Sequence, residues 1–127
     1  MSNTLDDFQE FRGRMNEEIH GSNHLGLKRF FALDTQAYLD GALTGKTKEL
    51  LGLVASAVLR CDDCITYHLI QCAEAGWNRD EIIDALNVAL IVGGSIVIPH
   101  LRRAFARMDE IPLLNADSHR RPDSGKV

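Results

Sequence analysis

The sequence predicts an all-α fold. Apolar residues return at intervals of three and four along most of the chain, and helix start and stop signals fall between those runs. No stretch alternates apolar and polar residues as a half-buried strand does. The 127 residues, 45% hydrophobic and 25% charged, match one globular domain large enough to bury a core without staples. We expect that domain over 1–116, with a polar, disordered tail over 117–127.

Leu5, Phe8, Phe11, Met15 and Ile19 lie on one face of a first helix, which "HGSN" at 20–23 ends. A second run carries Leu27, Phe30, Phe31, Tyr38 and Leu39 and is expected to stop at Gly41. A third helix starts near Thr47, and Leu50, Leu51, Val54, Ala55, Val58 and Leu59 give it a broad apolar stripe up to Arg60. Asp62 and Asp63 suit the first turn of a fourth helix, because carboxylates there meet the positive end of the helix dipole, and Gly76 closes it. Asn78 with Glu81 three residues on reads as a capping box for a long apolar helix. In that helix Gly93-Gly94 allows a bend or a close helix contact, and Pro99 is expected to kink or divide it. "HLRRAFARMDE" then forms a last amphipathic helix, and "NADSHRRPDSGKV" shows no apolar period.

A net charge of -4 gives no general basic surface, which argues against nucleic acid as a partner. "IIDALNVALIVGGSIVIP" is interrupted by Asp84 and Asn87, and its apolar part is shorter than the ~20 residues of a membrane span, so no membrane partner is expected. It reads instead as a helix buried in protein, partly at a subunit interface, which predicts a homo-oligomer. The polar, acidic start "MSNTLDDFQEFRGR" has no secretory pattern, so the expected compartment is the cytoplasm. In a reducing compartment a close cysteine pair is more often catalytic or metal-binding than a permanent bridge.

All three cysteines lie in "RCDDCITYHLIQC", residues 60–72. On a continuous helix Cys61, Cys64, His68 and Cys72 fall within an arc of about 80°, but Cys61 and Cys72 are about 16 Å apart along the axis and cannot share one ion. Cys61, Cys64 and His68 remain a conceivable ligand set, yet His20, His24 and His100 lack the paired spacing of a structural zinc site. A redox dithiol fits better, because the first turn of a helix offers free N–H groups and a favourable dipole to a thiolate. The four-residue step places His68 one turn from Cys64, the thiol for which it can serve as proton partner. Cys72 reads as a small buried residue. The bland alternatives are a hydrogen-bonded helix-face histidine at position 68 and a solvated charge at Glu49.

Glu49, eleven residues, Cys61, two residues, Cys64, three residues and His68 together resemble the signature of the alkyl hydroperoxidase D and carboxymuconolactone decarboxylase superfamily. The likeness runs from about 46 to 95. It implies an all-α subunit that assembles into trimers or hexamers and acts as a thiol peroxidase or disulfide reductase. In the matching positions Cys64 would attack peroxide, Cys61 would resolve the sulfenic acid as a disulfide, and Glu49 and His68 would relay protons. The resemblance implies a small hydroperoxide substrate, an external thiol electron donor and no cofactor. Asp63 stands where alkyl hydroperoxidase D members carry a histidine, and the decarboxylase members lack the dithiol.

Two other functions fit some of these features. A non-enzymatic redox sensor would use the same dithiol only to report oxidation. Lactone or keto acid chemistry in a subunit pocket would use His100, after Pro99, as acid or base; its plainer reading is a surface histidine beside Arg102 and Arg103.

Overall fold

A computed structural model describes residues 4–113. Among these residues there are six α-helices and one short 3-10 turn, and no strand. The chain forms two compact units, one up to Gly45 and the other from Lys46 onward.

The first unit holds α1 (Leu5–Gly21) and α2 (Leu25–Ala37). Thr4 caps α1 reciprocally with Asp7: its hydroxyl accepts from the Asp7 N–H at 3.2 Å, and the Asp7 carboxylate accepts from the Thr4 N–H at 3.3 Å. The chain reverses through Asn23, at φ 60°, a left-handed conformation that asparagine tolerates. His24 then caps α2 by accepting from the Leu27 N–H through Nδ1 at 3.3 Å. The His20 and Phe31 rings, 4.8 Å apart, tie the two helices together. Neither helix contains a fully buried residue.

The second helix ends four residues before the predicted stop at Gly41. Its amides are taken over by a tight local fold in residues 38–45, where the Asp40 carboxylate accepts from the Gly45 N–H at 2.6 Å and the Gly41 N–H donates to the Leu43 carbonyl. That arrangement competes with continued helix because a short carboxylate side chain reaches nearby amides.

The second unit holds α3 (Gly45–Val58, whose first residue closes the first unit), α4 (Asp62–Ala75), α5 (Arg79–Gly93), a 3-10 turn (Ser95–Val97) and α6 (Ile98–Glu110). Its core takes Leu53 and Ala57 from α3, Ile65, Leu69 and Cys72 from α4, Ile82, Leu86 and Ala89 from α5, Val97 from the turn, and Ala104 and Met108 from α6. The spacings within each helix are three, four or their sums, so each contributes one stripe. Helix α4 pairs most extensively with α6. At the start of α3, Lys46 binds back on the far end of α4: its carbonyl accepts from Trp77 Nε1 at 2.9 Å, and its ammonium lies 4.5 Å from the indole centre.

The predicted Asn78–Glu81 capping box is present on α5, with bonds of 2.8 and 2.9 Å. The glycine step is not a bend. The helix ends there, with Gly94 at φ 84°. A Cβ on Gly93 would lie 2.5 Å from Val97 Cγ2, so Gly93 admits the 3-10 turn at close range, while the Val58 Cα, at 3.8 Å, is in ordinary contact. Pro99 neither kinks nor divides a helix; it occupies the first turn of α6, where its missing N–H costs nothing. The apolar α5 segment is also less enclosed than its composition suggests. Ile82, Leu86 and Ala89 are buried, while Val88, Ile91 and Val92 are exposed. No described helix is long and apolar enough to cross a membrane. The tail expected over 117–127 lies outside the described residues.

Candidate active site at the start of the fourth helix

The site begins with the way α3 stops. Past Val58 the Arg60 N–H donates to the Ala57 carbonyl and the Cys61 N–H to the Ser56 carbonyl, each at 3.1 Å, a paired closure that requires a left-handed residue between them. Arg60 supplies it at φ 62°. The reversal delivers Cys61 to the N-cap of α4 with extended backbone, φ -105° and ψ 100°.

Cys61 is therefore a capping residue rather than the first member of a continuous helix. Its sulfur accepts from the Cys64 N–H at 3.4 Å, the position a serine or aspartate oxygen usually fills. The same geometry brings the Cys61 and Cys64 sulfurs to 2.8 Å. Neither is in a disulfide; Cys64 is exposed and Cys61 half-buried. A thiolate here meets the N-terminal dipole of α4 and a backbone N–H.

One turn further, His68 turns inward and is buried. Its Nδ1–H donates to Glu49 Oε1 at 2.9 Å, and both side chains are nearly enclosed, at 10% and 13% exposure. Glu49 comes from the second turn of α3, so the two helices that flank the reversal each supply one partner. The carboxylate fixes the ring orientation and, on a neutral imidazole, leaves Nε2 as the basic nitrogen. The solvated-charge reading of Glu49 is corrected by its burial.

Cys72, two turns beyond Cys64, is fully buried. Burial pushes its thiol up to about 12 from 9.0, and the Glu49 carboxylate adds to the effect. It is a core residue, as its sequence neighbours suggested.

Sequence reasoning missed one cluster. Asp62, the first residue of α4, receives His100 Nδ1 at 2.7 Å on one carboxylate oxygen and Arg103 Nη1 at 3.2 Å on the other. His100 is thus not a free surface histidine: its side chain is 18% exposed and held by Asp62. No local signal could reveal this, because the partners are 38 and 41 residues apart. Among the described residues, no group of three or more His, Cys, Asp or Glu side chains is placed to hold a metal ion.

A carboxymuconolactone decarboxylase family model matches residues 25–107. The chain belongs to the carboxymuconolactone decarboxylase family. A solved member from Thermotoga maritima, described as a family protein suggested to take part in an antioxidative response, is 56% identical; the match covers 82% of this chain and 88% of that one, with a TM-score of 0.78. A family protein from Legionella pneumophila shares the fold at 23% identity, with a TM-score of 0.77 over 84% of this chain and 95% of its own. Protein 4 of the cox locus of Paracoccus denitrificans is 32% identical over 82 residues, 65% of this chain and 74% of that protein. The matched segment of this family member contains both cysteines of the pair, Glu49, His68, Asp62, His100 and Arg103.

Proposed function

We propose that this carboxymuconolactone decarboxylase family member is a thiol oxidoreductase that reduces hydroperoxides at the Cys61–Cys64 dithiol. The observation that carries the reading is the 2.8 Å approach of two unbridged sulfurs at a helix N-terminus, with Cys64 exposed. The antioxidative role suggested for the Thermotoga maritima protein points the same way.

The oxidative half of the cycle balances with the dithiol and the hydroperoxide alone. The Cys64 thiolate attacks the terminal oxygen of the hydroperoxide, the O–O bond breaks, and the leaving alkoxide takes a proton to become an alcohol. Glu49 and His68 serve that proton transfer. The Cys64 sulfenic acid then condenses with the Cys61 thiol, forming the S–S bond and releasing water. The sulfurs stand less than an ångström beyond the roughly 2.05 Å of a disulfide, so ring closure needs only a small side-chain movement. An external thiol returns the two electrons. Assembly of the subunit into a trimer or hexamer, and a cytoplasmic setting that keeps the resting thiols reduced, belong to the same proposal.

Stopped-flow mixing of the reduced protein with an organic hydroperoxide should give rapid oxidation, and peptide mapping should find a Cys61–Cys64 bridge. Cys64→Ser should abolish thiol-dependent peroxide consumption. Unchanged turnover in that variant overturns the proposal, and oxidation no faster than that of free thiols would favour a sensor.

A further inference from the structure

The peroxide chemistry above leaves the Asp62–His100–Arg103 cluster without a role, although it adjoins Cys61. His100 and Arg103 stand one turn apart on α6 and take one oxygen each of the Asp62 carboxylate. The three side chains are 18%, 61% and 40% exposed for His100, Arg103 and Asp62, so the His100 contact is the most sheltered part of the cluster.

A carboxylate at this position acts in two opposed ways. It favours the helix by meeting the free N–H groups of the first turn. It also opposes ionisation of the sulfurs on either side, because a thiolate and a carboxylate repel and compete for the same positive potential. Asp63, exposed in the same turn, adds to that opposition. Other charged or titratable groups near this turn include Arg60, exposed on the preceding reversal, the Glu49–His68 pair one turn along, and Tyr67, whose ring lies 5.2 Å from that of His68. From α6, the helix packed most extensively on α4, His100 and Arg103 face the Asp62 carboxylate.

We propose that His100 and Arg103 are positioning residues that hold the Asp62 carboxylate against α6, so that it is engaged there rather than left to oppose thiolate chemistry at the adjoining Cys61–Cys64 dithiol. The clamp acts through Asp62 on the dithiol as a pair, since the two sulfurs stand 2.8 Å apart. This inference rests on reading the pair as a reactive dithiol, and it adds to that reading the means by which a thiolate forms between two aspartates.

The test is alkylation of the reduced full-length protein by iodoacetamide, resolved for each cysteine by peptide mass spectrometry from about pH 5 to about pH 9. His100→Gln should slow alkylation of the dithiol near pH 7 by about three- to tenfold. Arg103→Gln should act in the same direction and less, because its side chain is more exposed. In the Asp62→Asn background, where no carboxylate remains to be held, both effects should vanish. A dithiol whose pH profile ignores His100 and Arg103, or shifts equally with Asn at position 62, overturns the inference and leaves only a helix contact. If circular dichroism shows that His100→Gln does not fold, Arg103→Gln with and without Asp62→Asn makes the same comparison. The assay uses no peroxide, so failed turnover does not affect it. Thiols inert in the unmodified protein would overturn the dithiol reading itself, whereas activated thiols indifferent to the clamp overturn only the clamp.

Discussion

Cys64 and Cys72 lie eight positions apart on one helix, yet their environments make them different reagents. Cys64 is exposed at the first turn, while Cys72 is enclosed with Leu69 and Ile65 on the core stripe. A buried thiol pushed up to about 12 stays protonated where an unfolded one has ionised. Its contribution to stability is fully present below about pH 9 and is lost as the pH rises from there toward 12, because the unfolded state releases the proton first. The melting temperature should therefore fall above pH 9, less steeply in Cys72→Ala than in the unmodified protein. At neutral pH a thiol reagent should count two reactive cysteines in the native protein and the third only after unfolding in guanidinium. Glu49, for which a solvated charge was the alternative, is a nearly enclosed carboxylate hydrogen-bonded to His68.

Helix ends, more than helix interiors, make the site. Helices α3 and α4 close with the same pair of backbone bonds. Arg60 occupies the left-handed position after α3 and Gly76 the one after α4. A side chain in that conformation costs about 1–2 kcal/mol, and at Arg60 the reward is a reversal that sets Cys61 as the cap of α4. At the far end of α5, Gly93 permits the close approach of Val97. Gly93→Ala should therefore destabilise the fold by about 1–3 kcal/mol, since the Val97 side chain it would meet is fully buried. Denaturant titration checks this; a cost below about half a kcal/mol would mean the turn relaxes.

For the whole molecule, the notable quantity is the apolar surface left on α5. Val88, Ile91 and Val92 are exposed on a helix whose other face supplies Ile82, Leu86 and Ala89 to the core. A helix apolar on both faces is suited to burial between subunits. In light scattering the proposed assembly should give the mass of a trimer or hexamer, and Ile91→Asp should lower it. A monomeric mass for the unmodified protein would remove the proposal.

Periodicity and capping residues are local properties, and they determined the helical class, the Asn78–Glu81 start of α5, the closing role of Gly76 and the C-x-x-C at the head of α4. The four-residue step from Cys64 singled out His68, whereas Glu49 was reached only through the resemblance to a family signature, since its partner lies on another helix. Where α2 stopped, and whether Pro99 began or broke a helix, depended on competing hydrogen bonds and on whether Gly94 ended α5, which propensity alone does not weigh. The Asp62–His100–Arg103 cluster was beyond any sequence pattern. Its members meet only because α6 folds back across α4, and a contact spanning about forty residues is a property of packing rather than of the chain near it.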